Sequence, residues 1–212
     1  MPALRLSGPV ENQVQGPGGL MRIVAGLWRG RSLVAPAGEK TRPTADRVRQ
    51  ALFDMLLHAP WGGRELIEGV AVLDAFAGTG ALGLEALSRG AASARFIERD
   101  RAALAALRDN IAACGAGALC TVLPADVLTA RYGTACRLVF FDPPYGQDLV
   151  PKALERLAAN GWIASGAVVV AETGRDEVLQ LPGELLAERA HGAARLTIWR
   201  MPAGPGGNPL HS

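Results

Sequence analysis

This sequence is poor in the residues that build cross-linked, metal-bound or membrane-embedded proteins. Its three cysteines, Cys114, Cys120 and Cys136, fit neither a disulfide framework nor a zinc-ligand spacing, and read as thiols in a reducing cytosol. There are three histidines and no cluster of them with cysteine, so no metal site is expected. No apolar run approaches the roughly 20 residues that span a bilayer, and no membrane partner is expected. Residues 1–20 lack a signal-peptide core; with their Gly, Pro, Asn and Gln they read as a loose tail, as do residues 203–212. Met21 is a possible alternative start. No internal repeat is evident, and a net charge of +2 announces no polyanionic partner.

What is present is a globular chain. Its 212 residues, 49% hydrophobic and 20% charged, suit one large domain with a small appendage. The positive charge is unevenly placed. Residues 21–58 hold seven cations (Arg22, Arg29, Arg31, Lys40, Arg42, Arg47, Arg49) against three acids (Glu39, Asp46, Asp54), so this stretch is either a solvated face or a polyanion-binding edge. Within it, Arg22–Gly26 and Arg31–Pro36 read as a β-hairpin. Thr44 is a candidate N-cap for a helix running to about His58, with Val48, Leu52, Met55 and Leu56 on one face. The expected organisation is an N-terminal hairpin and helix over residues 21–62, then a main domain over residues 63–202.

From Val70 onward short apolar strands alternate with helical patterns. Strands are expected at Val70–Asp74, Ala94–Glu98, Leu119–Leu123, Leu138–Asp142 and Ala167–Glu172. Helices are expected near Ala81–Ser88, Arg101–Cys114 and Leu149–Asn160, with a poorer one after Asp126. That alternation predicts an α/β fold with a mostly parallel sheet covered on both faces. Leu185–Ala190 and Ala194–Arg200 leave no room for a crossover at His191-Gly192-Ala193, so they pair antiparallel.

The organising stretch is Val70–Gly83: a strand, Asp74 at its end, then Gly78-Thr79-Gly80-Ala81-Leu82-Gly83 opening a helix. This G-x-G-x-x-G spacing fits a nucleotide-type cofactor, and fits a tight strand-to-helix turn as well. Ligands of open α/β sheets bind beyond the carboxyl ends of the strands, and there Asp74, Glu98, Asp126 and Asp142 gather. An acid at Asp74 would oppose a pyrophosphate. A cationic cofactor suits such a rim better than NAD does, and S-adenosylmethionine offers a sulfonium, amines and ribose hydroxyls to carboxylates. The segment Phe140-Phe141-Asp142-Pro143-Pro144-Tyr145 has an innocent reading, since proline stops strands. Its functional reading is that Asp142 grips the N–H of a weakly nucleophilic aromatic amine, the prolines hold the loop, and Tyr145 stacks on a base.

Asp-Ala-Phe-Ala-Gly-Thr-Gly at Asp74–Gly80 resembles the first motif of class I S-adenosylmethionine-dependent methyltransferases. The resemblance implies a Rossmann-like, seven-stranded sheet with a C-terminal antiparallel hairpin. Asp74, Phe76, Gly78 and Gly80 would surround the methionine end of the cofactor, Glu98 would hold the ribose, and Asp126 would accept from the adenine amine. The Asp142–Tyr145 tetrad is similar to the Asp/Asn-Pro-Pro-Tyr/Phe signature of amino methyltransferases, with the Pro143 carbonyl as a second acceptor. Met21–Gly26, Arg29-Gly30-Arg31 and Thr41–Phe53, together with Gly83-Leu84-Glu85-Ala86-Leu87-Ser88-Arg89-Gly90, resemble the RsmD family over roughly residues 21–200. That implies transfer of a methyl group to a guanine N2 in bacterial 16S ribosomal RNA, in the cytoplasm, with a small ribosomal subunit in assembly as a partner. A monomer is the default expectation. Arg22, Arg29, Arg31, Arg42, Arg47 and Arg49 would contact RNA phosphates, although Arg42 or Arg47 could instead hold the N-terminal segment in place. The readings that compete with this are a DNA adenine-N6 methyltransferase, an NAD-dependent oxidoreductase and a non-catalytic RNA-binding module.

Overall fold

A computed structural model describes residues 21–36 and 43–203. Arg42 and both tails lie outside the described residues. The main sheet has seven strands: β3 (Ala71–Ala75), β4 (Ser93–Glu98), β5 (Cys120–Pro124), β6 (Cys136–Phe141), β7 (Ile163–Gly174), β8 (Glu184–His191) and β9 (Ala194–Arg200). Their order is β5-β4-β3-β6-β7-β9-β8, parallel through β7 and antiparallel for the last two. This is the arrangement implied by the class I methyltransferase resemblance. The chain leaves β3 toward β4 on one side and returns through β6 on the other, so the gap beyond Ala75 and Phe141 is a topological switch point.

Alternation along the strands sends side chains into two cores. Val72, Phe96, Leu138, Phe140 and Val168 face helices α1 (Pro43–His58), α2 (Ala81–Ser88) and α3 (Arg101–Cys114). Leu73, Ile97, Val139, Phe141 and Val169 face α4 (Leu149–Ala159), whose Val150, Ala153, Leu154 and Leu157 make one apolar stripe. Helix α1 is built into the first of these cores. Leu52, Phe53 and Leu56 are buried with the sheet residues, and the Phe53 and Phe140 rings stand 5.8 Å apart. The described residues between 21 and 62 therefore share a core with the sheet.

The expected hairpin is much shorter than its sequence pattern. Only β1 (Met21–Arg22) and β2 (Ser32–Leu33) pair. Between them the amides of Val24 and Ala25 donate to the Glu85 carboxylate, and that of Trp28 to Ser88 Oγ, so α2 takes the bonds a strand would have used. The helix expected after Asp126 is a single 3-10 turn, Val127–Thr129. Asp126 caps it by accepting from Leu128 N–H, and Gly133 then lies so close to the Trp162 ring that a Cβ would come within 2.0 Å. Helix α1 begins at Pro43, a favourable first helical position, which puts Thr44 inside the first turn instead of at the cap. Among the described residues no helix is long and apolar enough to cross a membrane, and no group of His, Cys, Asp and Glu could hold a metal ion.

Candidate active site

The loop from β3 to α2 is where the chain departs from ordinary backbone. Phe76 is left-handed (φ 66°), a costly conformation for a bulky side chain that clusters at ligand sites. Ala77 N–H donates to Ile97 O, Gly78 N–H to Glu98, and Thr79 O accepts from the buried Asn110 amide. The glycines divide their work. Gly78 (φ 53°) has open space where a Cβ would stand, whereas a Cβ on Gly80 (φ 77°) would meet Leu107 Cδ1 at 2.3 Å. Gly80 lines neither cavity at this rim. Packing alone accounts for glycine here, whatever its expected contact with a cofactor: α2 caps in the left-handed region against α3.

Two adjoining cavities, of about 710 and 770 Å³, open at the switch point and share Phe76, Gly78, Asp142 and Tyr145 as their common wall. The first is completed by Glu98, Asp126, Pro143 and Pro144. Glu98 is held by amides: Oε2 accepts from Gly78, and Oε1 from Arg99 and Asp100. Asp126 accepts from Leu128 N–H through Oδ1 and meets Arg99 through Oδ2 at 2.7 Å, an exposed pair that contributes little stability.

The second cavity is bounded by Asp74, by Met21, Val48 and Leu52 of the N-terminal segment, and by Glu172 and the β8–β9 turn. Asp74 is 2% exposed, and its Oδ2 accepts from Gly83 N–H at 2.9 Å. The open helix start expected from sequence thus spends one donor on the chain's own acid. Burial pushes the Asp74 pKa up to about 8, with Asp142 and Glu98 adding to the rise and the Gly83 bond opposing it. Asp142 has surface open to the cleft while protein encloses its other sides. That enclosure first, and the Glu172 carboxylate second, push its pKa up to about 7. Water reaching the open side tempers the penalty, and the upward direction is what the chemistry below uses. Tyr145 is 46% exposed, and its hydroxyl donates to Glu172 Oε1. His191, at the turn between β8 and β9, lines this cavity with an unpartnered Nε2.

The arginines separate sharply. Arg22, Arg29, Arg31 and Arg47 are exposed, and Arg31 also donates to Ala113 O. Arg49, expected at a phosphate, is instead engaged by the protein: it is 5% exposed, 2.8 Å from Asp46 and 3.6 Å from Glu85, and it donates to Arg22 O, while still bordering the second cavity. Among the described arginines expected to contact RNA, Arg49 fastens the N-terminal segment to α2 and Arg47 is exposed. Trp28 packs against the core as a half-buried side chain. Sequence reasoning passed over Glu85, although α2 is apolar on every face, and a charge in such a helix must be buried and paired.

A family model described as "Conserved hypothetical protein 95" matches residues 21–200. Ribosomal RNA small subunit methyltransferase D of Escherichia coli (strain K12) is 43% identical over 157 residues, 73% of this chain and 75% of that protein. The protein of the same name from Haemophilus influenzae is 34% identical over 193 residues, 86% of this chain and 94% of its own. Among solved structures, the yhhF protein of Escherichia coli superposes with a TM-score of 0.74 at 38% identity, covering 88% of this chain and 100% of that one. With the paired cavities, the glycine loop and the Asp-Pro-Pro-Tyr tetrad in one matched span, the chain belongs to the RsmD family.

Proposed function

We propose that this protein transfers a methyl group from S-adenosylmethionine to the exocyclic N2 of a guanine in 16S ribosomal RNA. The observation that carries the reading is the position of Asp142 and Tyr145, on the wall common to two cavities of which one is rimmed by acids and the other is bounded by the basic N-terminal segment. The acid rim fits a cationic cofactor. Asp74 is kept from ionising by burial, with Asp142 and Glu98 adding to it, and Asp142 by its enclosure and by Glu172; a positive charge arriving beside them relieves these effects. Glu98, preorganised by three amides, suits ribose hydroxyls, and Asp126 suits the adenine amine. When bound, S-adenosylmethionine supplies a methyl on a positively charged sulfur that departs as a neutral thioether.

The remaining work falls to the chain. The Asp142 carboxylate and the Pro143 carbonyl accept the two N–H bonds of the amine, which favours a pyramidal nitrogen with its lone pair aimed at the methyl. Pro143 and Pro144 fix the local backbone, so the acceptors are in place before the base arrives. Tyr145 stacks on the base, and Asp142 or water removes the proton from the alkylated amine. Arg22, Arg29, Arg31 and Arg47, with Arg42 beyond the described residues, are the candidates to hold phosphates while the base is drawn into the second cavity. Replacing Arg29 and Arg47 with Ala is expected to weaken rRNA binding and to reduce the slope of log Kd against log salt by about 1 per residue, read by filter binding from 50 to 200 mM salt. An unchanged slope would remove both from the interface.

The Asp74 carboxyl gives a test of the cofactor site that needs no RNA. Its raised pKa means that the folded protein holds a proton the unfolded chain has lost, so this group's stabilising contribution is complete below about pH 4 and disappears as pH rises through about 8. Asp74→Asn is expected to melt higher than wild type at pH 8, with the gap narrowing at pH 5, and to lose most of the melting-temperature rise given by S-adenosylhomocysteine. A variant that melts lower at both pH values would contradict this assignment. The reaction itself is tested with labelled S-adenosylmethionine and small-subunit ribosomal RNA, followed by nucleoside analysis. N2-methylguanosine is expected. Methylated adenine in DNA, or binding heat with NAD and none with S-adenosylhomocysteine, would overturn the reading.

A further inference from the structure

The second cavity contains a carboxylate that the methyl-transfer scheme does not use. Glu172 lies on β7 in register with Leu196 of β9, and it lines the cavity together with Asp142, Tyr145, Val170 and Leu196. Among the described residues no lysine or arginine pairs with it, and its one side-chain partner is the Tyr145 hydroxyl, held through Oε1. Glu172 and Asp142 line the same cavity, and Glu172 is near enough to disfavour the Asp142 charge, a cost that a ligand with two adjacent donors removes. One acid and a carbonyl suffice to grip an amine. A second acid in the same pocket calls for a second donor on the base.

The common bases differ on this point. In guanine the exocyclic N2 amine stands beside a ring N1–H, so that edge offers adjacent donors. In adenine the N6 amine stands beside N1, and in cytosine the N4 amine stands beside N3, both of them acceptors. A carboxylate facing such a lone pair is repelled. We infer that Glu172 accepts the N1–H of the target guanine and is the residue that selects guanine over adenine and cytosine. Its Oε2 makes this contact while Oε1 stays on Tyr145, so the ring that stacks on the base also aims the carboxylate that reads it. The inference rests on the guanine reading above and adds its specificity determinant. Buried polar groups left unpaired by the wrong ligand are what make such discrimination large.

The test uses ribosomal RNA assembled by ligation with either guanine or 2-aminopurine at the mapped target. 2-Aminopurine keeps the N2 amine but presents an acceptor at N1. The wild-type protein is expected to prefer guanine by at least about 100-fold in kcat/KM. In Glu172→Gln, whose amide can donate to that acceptor, the preference is expected to fall at least tenfold, with S-adenosylhomocysteine affinity unchanged by calorimetry. A Glu172→Gln protein that binds S-adenosylhomocysteine normally and keeps the wild-type preference overturns the inference and leaves the guanine reading standing. Should that variant lose S-adenosylhomocysteine binding, Glu172→Asp decides: a preference weakened by its shorter reach supports the contact, and an unchanged one overturns it. No transfer by the wild-type protein to the guanine RNA overturns the guanine reading and the inference together.

Discussion

Asp142→Ala is expected to bind S-adenosylhomocysteine within a few-fold of wild type and to lose methyl transfer by about 10³-fold, the scale on which removing one preorganised polar group from a reacting centre acts. The variant keeps Glu98, Asp126 and the loop amides, proposed to hold the nucleoside part, and it removes the acceptor proposed to orient the amine. The same residue sets a pH dependence. Enclosure and Glu172 raise the Asp142 pKa to about 7, and the ionised form is both the stronger acceptor from N–H and the form that can take the amine's proton, so kcat/KM is expected to rise with pH across neutrality and to level off above it. Asp142→Asn, which cannot titrate, is expected to give a low and flat profile. Single-turnover rates from pH 6 to 8.5, with melting temperatures measured alongside, check both statements. Retained turnover in Asp142→Ala would remove the tetrad from the chemistry.

The second large effect is structural. Glu85 is wholly buried in α2 and holds four groups. Its oxygens accept from Val24 and Ala25 N–H at 2.7 and 3.0 Å, Arg89 Nε lies at 2.7 Å, and Arg49 Nε at 3.6 Å. Arg89 in turn lies over the Phe53 ring at 4.7 Å, and Ser88 Oγ, one turn along α2, donates to Ala25 O. Removing the acid leaves two amides and the Arg89 Nε without their acceptor and takes one of two nearby carboxylates from Arg49. Breaking a buried pair from one side typically costs about 3–5 kcal/mol. Glu85→Ala is therefore expected to melt roughly 10 °C lower and to expose Val24–Arg31 to proteolysis, since the turn has no other anchor of this strength. Because α2 also begins at the glycine loop, this acid ties residues 24–25 to the element that opens at both cavities. A loss of under 1 kcal/mol in urea denaturation would show that the cluster does not hold the hairpin.

Much of the fold is legible in the sequence because it rests on periodicity. Helices α2 and α3 start and stop where the apolar pattern and the Gly80 and Gly115 punctuation put them, and the antiparallel end follows from a connection too short for any crossover. The misreadings share one cause, which is tertiary hydrogen bonding. Arg22–Gly26 reads as a strand, but the amides of Val24 and Ala25 are taken by Glu85, and that of Trp28 beyond them by Ser88. The turn after Asp126 resembles a weak helix until Gly133 has to pass beneath Trp162. The candidate site was legible wherever an acid ends a strand, which covers Asp74, Glu98 and Asp142. The same rule applied to the last parallel strand finds Glu172. Asn110 carries a fainter signal: a polar residue on the apolar face of α3, buried because its amide joins Val34 to Thr79. Gly80 and Arg49 were assigned to ligands by motif. The structure gives them to packing, because a motif does not say which way a residue faces.

The central claim is methyl transfer to a guanine amine of small-subunit ribosomal RNA, and mass mapping of that RNA tests it most directly. RNA from cells lacking this protein, compared with RNA from the same cells carrying the wild-type gene or the Asp142→Ala variant, is expected to differ at one guanine. That guanine should carry a 14-dalton N2-methyl with the wild type and none in the other two samples. Identical maps in all three, or a restored methyl group on any other base, would contradict the account.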